Sequence, residues 1–182
     1  MAGFPTAYLA DVARQYRNYE ALGEKAMAQV SDRDLLKEID PASNSIAVMV
    51  KHVAGNLRSR FTDFLTSDGE KPDRNRDGEF EMPAAASRAE VLKWWQTAFG
   101  VALASIEALK PEDLDRTIYI RREPFLVVEA LNRSITHTAY HVGQIVYVAR
   151  HLAGPAWKSL SIPKGQSAQY STGDVKQRGL TR

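Results

Sequence analysis

The chain has 182 residues, of which 44% are hydrophobic and 25% are charged, as in a single globular domain with a sizeable core. It contains no cysteine, which excludes disulfides, cysteine-ligated zinc and a cysteine nucleophile. No apolar stretch approaches the ~18–20 residues that cross a bilayer, and Asp11 and Arg14 interrupt the first apolar run. We therefore expect a cytoplasmic protein that has no membrane partner.

The formal net charge of +2 is unevenly distributed along the chain. Residues 154–182 hold five basic residues against Asp174 alone and carry +4, which leaves −2 for residues 1–153. A nucleic-acid-binding surface needs basic residues clustered on a folded face, so we do not predict nucleic acid as a partner. The pattern indicates a folded domain over residues 1–153 and a basic, partly disordered tail over residues 154–182.

Apolar residues recur at three- and four-residue intervals in four long stretches, which predicts four amphipathic helices. In chain order we expect them at about residues 6–30, 45–66, 87–109 and 125–152. Asn44 or Ser45 can cap the second helix, and Ser87 with Glu90 forms a capping box for the third. Residues 117–122 could form a short extended segment before the fourth helix.

The connections between these helices indicate the fold. Residues 67–86 are rich in turn-forming and charged side chains, so they predict a long loop, of the kind that is often functional or disordered. Four long helices without alternating strands favour an all-α fold. We expect a four-helix bundle with a long crossover loop at 67–86 and an irregular C-terminal tail.

A pair of histidines indicates the chemistry. His137 and His141 lie four residues apart in the fourth predicted helix, so both rings project from one face. One metal ion can be reached by two imidazoles at this spacing. His151 lies about 15 Å further along the same helix and about 80° around it, and therefore cannot join the pair.

The remaining histidine, His52, lies in the second predicted helix. Helical bundles build internal metal sites from a pair of ligands on one helix and further ligands from a facing helix. We therefore predict that His52, His137 and His141 bind one metal ion. On the second helix, His52, Asn56, Ser59 and Asp63 form a polar line beside the apolar face.

Three polar side chains lie within one turn of the predicted ligands: Asn56, Arg133 and Gln144. Such groups can orient the ligating rings, and Arg133 could hold a carboxylate of a substrate. Ordinary hydrogen bonds on or between helices are the alternative for each. Glu129 and Asp63 are too far along their helices from the histidines to act as a general base, so no catalytic residue is predicted.

Four segments of the sequence resemble the DinB/YfiT-like superfamily: NSIAVMVKHVAGN at 44–56, DFLTSDGEKP at 63–72, RNRDGEFE at 74–81 and HTAYHVGQI at 137–145. They are most similar to a bacterial branch of uncharacterised proteins. The resemblance extends from about residue 5 to Tyr170. One position departs from the family pattern, since Asp73 stands where the resemblance implies an aromatic residue.

The resemblance implies a four-helix bundle in which three histidines bind a divalent metal, typically zinc or nickel. The family's ligands fall on His52, His137 and His141. Some members are thiol S-transferases that use a low-molecular-weight thiol such as bacillithiol or mycothiol, and others are described as metal-dependent hydrolases. The resemblance also implies a homodimer.

The predicted ligand set is compatible with more than one function. Three imidazoles suit zinc, nickel or another late first-row metal, and three protein ligands leave a position open for water or a thiol. A metal-dependent enzyme acting on a small-molecule substrate, either thiol S-transferase-like or hydrolase-like, is the first hypothesis. A non-catalytic metal-binding stress-response bundle and an interaction protein with a basic tail are the alternatives.

Overall fold

The computed structural model describes residues 3–83 and 86–169, and the chain is mostly helical over these ranges. Five helices and two short strands follow one another along the chain. They are α1 (Phe4–Met27), α2 (Asp32–Leu35), α3 (Ile46–Phe61), α4 (Arg88–Glu107), β1 (Thr117–Ile120), β2 (Glu123–Leu126) and α5 (Val127–Ala153). Within the described ranges, no helix is both long and apolar enough to span a membrane.

The four long helices begin where the sequence supplies a suitable first turn. The side chain of Ser45 accepts a hydrogen bond from the backbone N–H of Val48 at the start of α3. Ser87 and Glu90 form the predicted capping box of α4. Each cap satisfies a backbone N–H that has no partner inside the helix.

The long helices pack around a shared apolar core, in which α1 and α3 each contact both α4 and α5. Tyr16 of α1 is fully buried at its centre. Its ring makes edge contacts with Phe61 and Phe99 at centroid distances of 5.7 and 6.2 Å. Its hydroxyl lies 2.7 Å from the hydroxyl of Ser134 on α5, so that this one side chain of α1 contacts the other three long helices.

The loop between α3 and α4 runs back along α3. The carbonyl of Gly69 contacts Ser59 near the end of α3, whereas the carbonyl of Gly78 accepts a hydrogen bond from Lys51, two turns nearer its start. The loop thereby places its 3₁₀ turn at Asp77–Phe80 beside the middle of α3.

Helix α3 is shorter than the sequence predicted, because it ends at Phe61 and not near Thr66. Thr62 has an extended backbone, and Asp63 adopts a positive φ of 48°. Asp63 is exposed beyond the helix end and therefore drops out of the predicted polar line.

The all-α expectation needs a correction, because β1 and β2 form a two-stranded antiparallel hairpin. Only its first strand falls in the segment predicted to be extended. In the turn between the strands, Arg121 and Arg122 have positive φ values of 57° and 65°. Both of their backbone N–H groups donate to the carboxylate of Asp68, at 2.8 Å each. Helix α5 therefore begins only at Val127.

The first residues after α5 pack against the helical part of the protein. Trp157 packs against the core, and the backbone of Lys158 exchanges two hydrogen bonds with the side chain of Gln29. The predicted tail extends to residue 182, and its residues 170–182 lie outside the described part of the chain.

Candidate metal site

The three predicted ligands meet in the folded protein. α3 contributes His52, and α5 contributes His137 and His141. One nitrogen from each ring lies within 4.8 Å of the other two. The ring centroids are 4.6 to 5.3 Å apart. These histidines could therefore bind a metal ion.

One distance in the cluster matches the geometry of a shared ion. The Nε2 atoms of His52 and His137 are 3.3 Å apart. Two nitrogens bonded at about 2.05 Å to a tetrahedral ion also lie about 3.3 Å from each other. All three nitrogens lie within 4.8 Å of one another. Their type and spacing fit a shared divalent ion.

Helical periodicity explains why the two rings on α5 lie together at the edge of the core. Ser134, Thr138 and Val142 form the buried stripe of α5, and His137 and His141 lie beside it with intermediate exposure. On α3, His52 precedes the fully buried Val53 and is itself only 8% exposed. The rings consequently meet between two packed helices.

Acceptors on the opposite side of two rings determine which nitrogen faces the cluster. Nδ1 of His52 lies 2.9 Å from Oε2 of Glu79, and Nδ1 of His141 lies 2.8 Å from Oε1 of Gln144. Because both oxygens accept hydrogen bonds, these contacts favour the tautomers that carry the proton on Nδ1 and leave a lone pair free on Nε2. Nδ1 of His137 is buried and has no hydrogen-bond partner among the described residues.

Glu79 is itself fixed by a buried arginine. Arg74 donates from Nε and from a terminal nitrogen to the two carboxylate oxygens, at 2.7 and 3.0 Å. Burial opposes ionisation of Glu79, but the hydrogen bonds from His52 and Arg74 outweigh it and hold the pKa of this carboxyl below its usual value. The site therefore has a charged carboxylate directly behind one imidazole.

The local environment keeps two of the imidazoles neutral. Burial, followed by the charges of His141, His52 and Arg74, lowers the pKa of His137 to about 4. Burial and His52 also lower the pKa of His141, although the hydrogen bond with Gln144 opposes this shift. A neutral imidazole is the form that binds a metal.

Two exposed aromatic side chains contact the histidines. The ring of Phe80 stacks on His52, with centroids 5.1 Å apart and planes at 30°. Tyr140 meets His141 edge to face at 5.0 Å. Both aromatic residues are about half exposed or more, so they offer apolar surface to a molecule that approaches the cluster.

The three side chains predicted to surround the ligands occupy different positions. Gln144 contacts His141 as described. Asn56 is buried one turn after His52, and its amide hydrogen-bonds to none of the described residues. Arg133 is exposed, with its guanidinium carbon 5.3 Å from the centre of the Phe125 ring.

Two other expectations concern residues outside the cluster. His151 is exposed near the end of α5. It is not part of the cluster, as its position along the helix predicted. Asp73, the departure from the family pattern, is exposed and pairs with Arg58 at 3.2 Å.

Sequence reasoning missed Glu79. This residue belongs to the charged loop segment RNRDGEFE at 74–81, which was assigned no role at the site. A loop has no periodicity from which the direction of a side chain can be predicted. Only the path of the loop along α3 brings Glu79 to His52.

The comparisons with known proteins agree with the fold. The structure is similar to the crystal structure of a DinB-like protein, YjoA, from Bacillus subtilis, with a TM-score of 0.62 at 14% sequence identity. The match covers 82% of this chain and 96% of that one. This chain therefore shares its fold with that DinB-like protein.

The family of the chain is shown by a match of its sequence to a family model. Residues 3–166 match the family described as "Protein of unknown function (DUF1572)", and the chain belongs to this family. No curated protein matched the sequence.

Proposed function

We propose that the protein is a DinB-like metal-dependent enzyme, in which the four long helices form a bundle around a three-histidine site. His52, His137 and His141 would bind one divalent ion, with zinc or nickel as the first candidates. The convergence of three ring nitrogens within 4.8 Å carries this proposal. Three imidazoles without a thiolate suit late first-row metals, and three protein ligands leave a position open.

The open position would serve chemistry on a thiol or on water. A bound ion supplies Lewis acidity, which lowers the pKa of either molecule. The contacts of the carboxylate nearest to the histidines favour one of these two chemistries. Glu79 is the one carboxylate among the described residues that hydrogen-bonds to the histidines, and Arg74 and His52 already engage its oxygens.

The engagement of Glu79 favours thiol S-transfer over hydrolysis. Metal-dependent hydrolysis commonly uses a free carboxylate as general base, whereas a thiol loses its proton on coordination. We therefore place a low-molecular-weight thiol first as co-substrate. Its sulfur would bond to carbon of a small organic electrophile, the leaving group would depart with the bonding electron pair, and the thiol proton would pass to solvent. Phe80 and Tyr140 support an apolar electrophile, because both rings border the site.

A metal-binding measurement tests the site. Chelator-treated protein is titrated with zinc and with nickel, and bound metal is quantified after desalting. We expect one equivalent in the wild type and in His151→Ala, and loss of binding in His137→Ala. His151→Ala is the matched control because it removes an exposed imidazole from the same helix. Equal metal content in all three proteins would contradict the proposal.

An activity measurement separates enzyme from non-catalytic metal binder. Metal-loaded protein is assayed for conjugation of low-molecular-weight thiols to monochlorobimane, and in parallel for hydrolysis of aryl esters and amides. We expect conjugation that requires metal and is absent in His137→Ala. Hydrolysis alone would favour the second reaction class. Stoichiometric metal binding without either activity would support a metal-binding stress-response bundle.

The assembly and location are also proposals and rest on the superfamily resemblance. We propose a homodimer that works in the cytoplasm on small-molecule substrates. Size-exclusion chromatography with light scattering should give about twice the 20.3 kDa mass of the chain. A monomer at micromolar concentration would contradict the dimer without affecting the metal site.

A further inference from the structure

His52 is held on two sides by consecutive residues of one turn. Oε2 of Glu79 lies 2.9 Å from its Nδ1, and the ring of Phe80 stacks on its face with centroids 5.1 Å apart. Among the described residues of this loop, none forms a hydrogen bond or a ring contact with His137 or His141. His52 therefore depends on the α3–α4 connection for its orientation, although it is part of α3.

The turn that carries Glu79 is anchored to α3 itself. Lys51 donates from its ammonium group to the carbonyl of Gly78 at 2.7 Å, and also to the carbonyl of Glu81. Gly55, one turn further along α3, leaves room for the carboxylate. A Cβ on Gly55 would overlap Oε1 of Glu79, so the close approach depends on the absence of a side chain there.

The carboxylate cannot rotate freely away from His52. Glu79 is 6% exposed, and two nitrogens of Arg74 donate to its two oxygens. The Arg74 side chain is also almost completely buried, at 3% exposure. A bidentate arginine–carboxylate pair fixes both the position and the plane of the carboxylate.

We propose that Glu79 is a positioning residue of the metal site, which acts through His52. By accepting from Nδ1–H, Glu79 holds His52 in the tautomer whose Nε2 has a free lone pair, and directs that atom towards His137. Partners of this kind orient metal-binding histidines and raise their basicity, and their loss typically weakens metal binding about 10–100-fold. The inference rests on the proposed function, because it concerns the same metal.

Metal affinity and ligand geometry test the proposal in Glu79→Gln. This change keeps the shape of the side chain but removes its charge and one acceptor. We expect cobalt(II) to bind about 10–100-fold more weakly than to the wild type, with a changed d–d absorption spectrum. Glu81→Gln is the matched control, since Glu81 is exposed two residues further along the same loop, and it should bind like the wild type. Wild-type affinity and spectrum in Glu79→Gln would overturn the inference.

A second measurement needs no substitution and no metal. Nitrogen-15 NMR of the imidazoles in the metal-free wild type distinguishes an Nδ1–H from an Nε2–H tautomer. We expect His52 to carry its proton on Nδ1, and a predominant Nε2–H form would overturn the inference even if Glu79→Gln fails to fold. If instead the wild type binds no cobalt, zinc or nickel, the proposed function itself fails, so the two failures are distinguishable.

Discussion

Nδ1 of His141 lies 2.8 Å from the side-chain oxygen of Gln144, one helical turn further along α5. The contact is local, because both residues belong to the same helix. The corresponding contact of His52 is with Glu79, which lies 27 positions further along the chain. The two rings are thus oriented by one partner from their own helix and one from a loop.

Replacement of Gln144 by leucine should weaken metal binding. The change keeps a similar side-chain volume but removes the acceptor that keeps the His141 proton on Nδ1. We expect about a 10-fold or larger increase in the dissociation constant for zinc, measured by competition with a chromophoric chelator. Gln96→Leu is the control, because Gln96 is an exposed glutamine of α4 that bonds to Glu24. An equal effect of both substitutions would mean that the His141 contact is irrelevant to the metal.

Metal binding should stabilise the folded protein. An ion that binds only the native state at 100 times its dissociation constant adds about 2.7 kcal/mol to the free energy of unfolding. For a domain of this size, that corresponds to a rise in Tm of about 5–10 °C. Differential scanning fluorimetry with and without zinc measures the shift. His137→Ala should show almost none of it, and a full shift in that variant would place the ion elsewhere.

Gly23→Ala should destabilise the protein. A Cβ at this position of α1 would overlap the indole of Trp95, which is fully buried on α4 and donates to the carbonyl of Glu20 at 3.2 Å. Overpacking of this kind costs about 1–3 kcal/mol. Urea denaturation followed by circular dichroism measures the free energy of unfolding.

The control for Gly23→Ala is the same substitution at Gly100. Gly100 is an exposed position within α4, where a Cβ would meet no atom within 4 Å. Alanine there should raise the free energy of unfolding by about 0.5–1 kcal/mol, because glycine is unfavourable inside a helix. A loss of stability at Gly100 as large as that at Gly23 would contradict the packing explanation.

Asp68→Ala should destabilise the β1–β2 hairpin. The Asp68 carboxylate accepts backbone hydrogen bonds from Glu70, Arg121 and Arg122 at 2.7 to 2.8 Å. The two arginines have the positive φ values of a tight hairpin turn, which residues with a Cβ adopt at a cost. We expect a loss of about 1–3 kcal/mol in the free energy of unfolding. Asp68→Asn, which keeps one acceptor, should lose less.

The contribution of Asp68 should depend on pH. Burial opposes its ionisation, but the three backbone N–H donors outweigh burial and hold the pKa of Asp68 below its usual value. A carboxyl with a lowered folded-state pKa stabilises the protein above the unfolded-state pKa, here about pH 4. This stabilisation is lost as the pH falls through the folded-state pKa. The difference in stability between wild type and Asp68→Ala should therefore shrink below about pH 4, and a difference that grows there would contradict the assignment.

The helices of the fold were predictable because the spacing of apolar residues along a helix is periodic. Three-four spacing of apolar residues located all four long helices, and the Ser87–Glu90 capping box placed the start of α4 correctly. Errors arose where the backbone leaves regular structure without a glycine or proline to mark it. Asp63, Arg121 and Arg122 all adopt positive φ values. The backbone N–H groups of the two arginines donate tertiary hydrogen bonds to Asp68, which hold this conformation.

The site was predictable to the extent that one helix determines it. His137 and His141 had to share a face of α5 because of the helical repeat, and that repeat also excluded His151. The association of His52 with this pair required a second helix, and the resemblance to the superfamily supported the same choice. Gln144 was within reach of prediction because it lies on the same helix as its partner.

The amino-acid sequence by itself determined the helices, the pair of imidazoles on one helical face and the absence of any cysteine ligand, since these follow from residue identity and local periodicity. Tertiary structure decided that Glu79 would lie behind His52, that Arg74 would engage the same carboxylate, and that a hairpin would precede α5. Those contacts join residues through the path of an irregular loop, and a loop has no repeat from which such a path can be calculated.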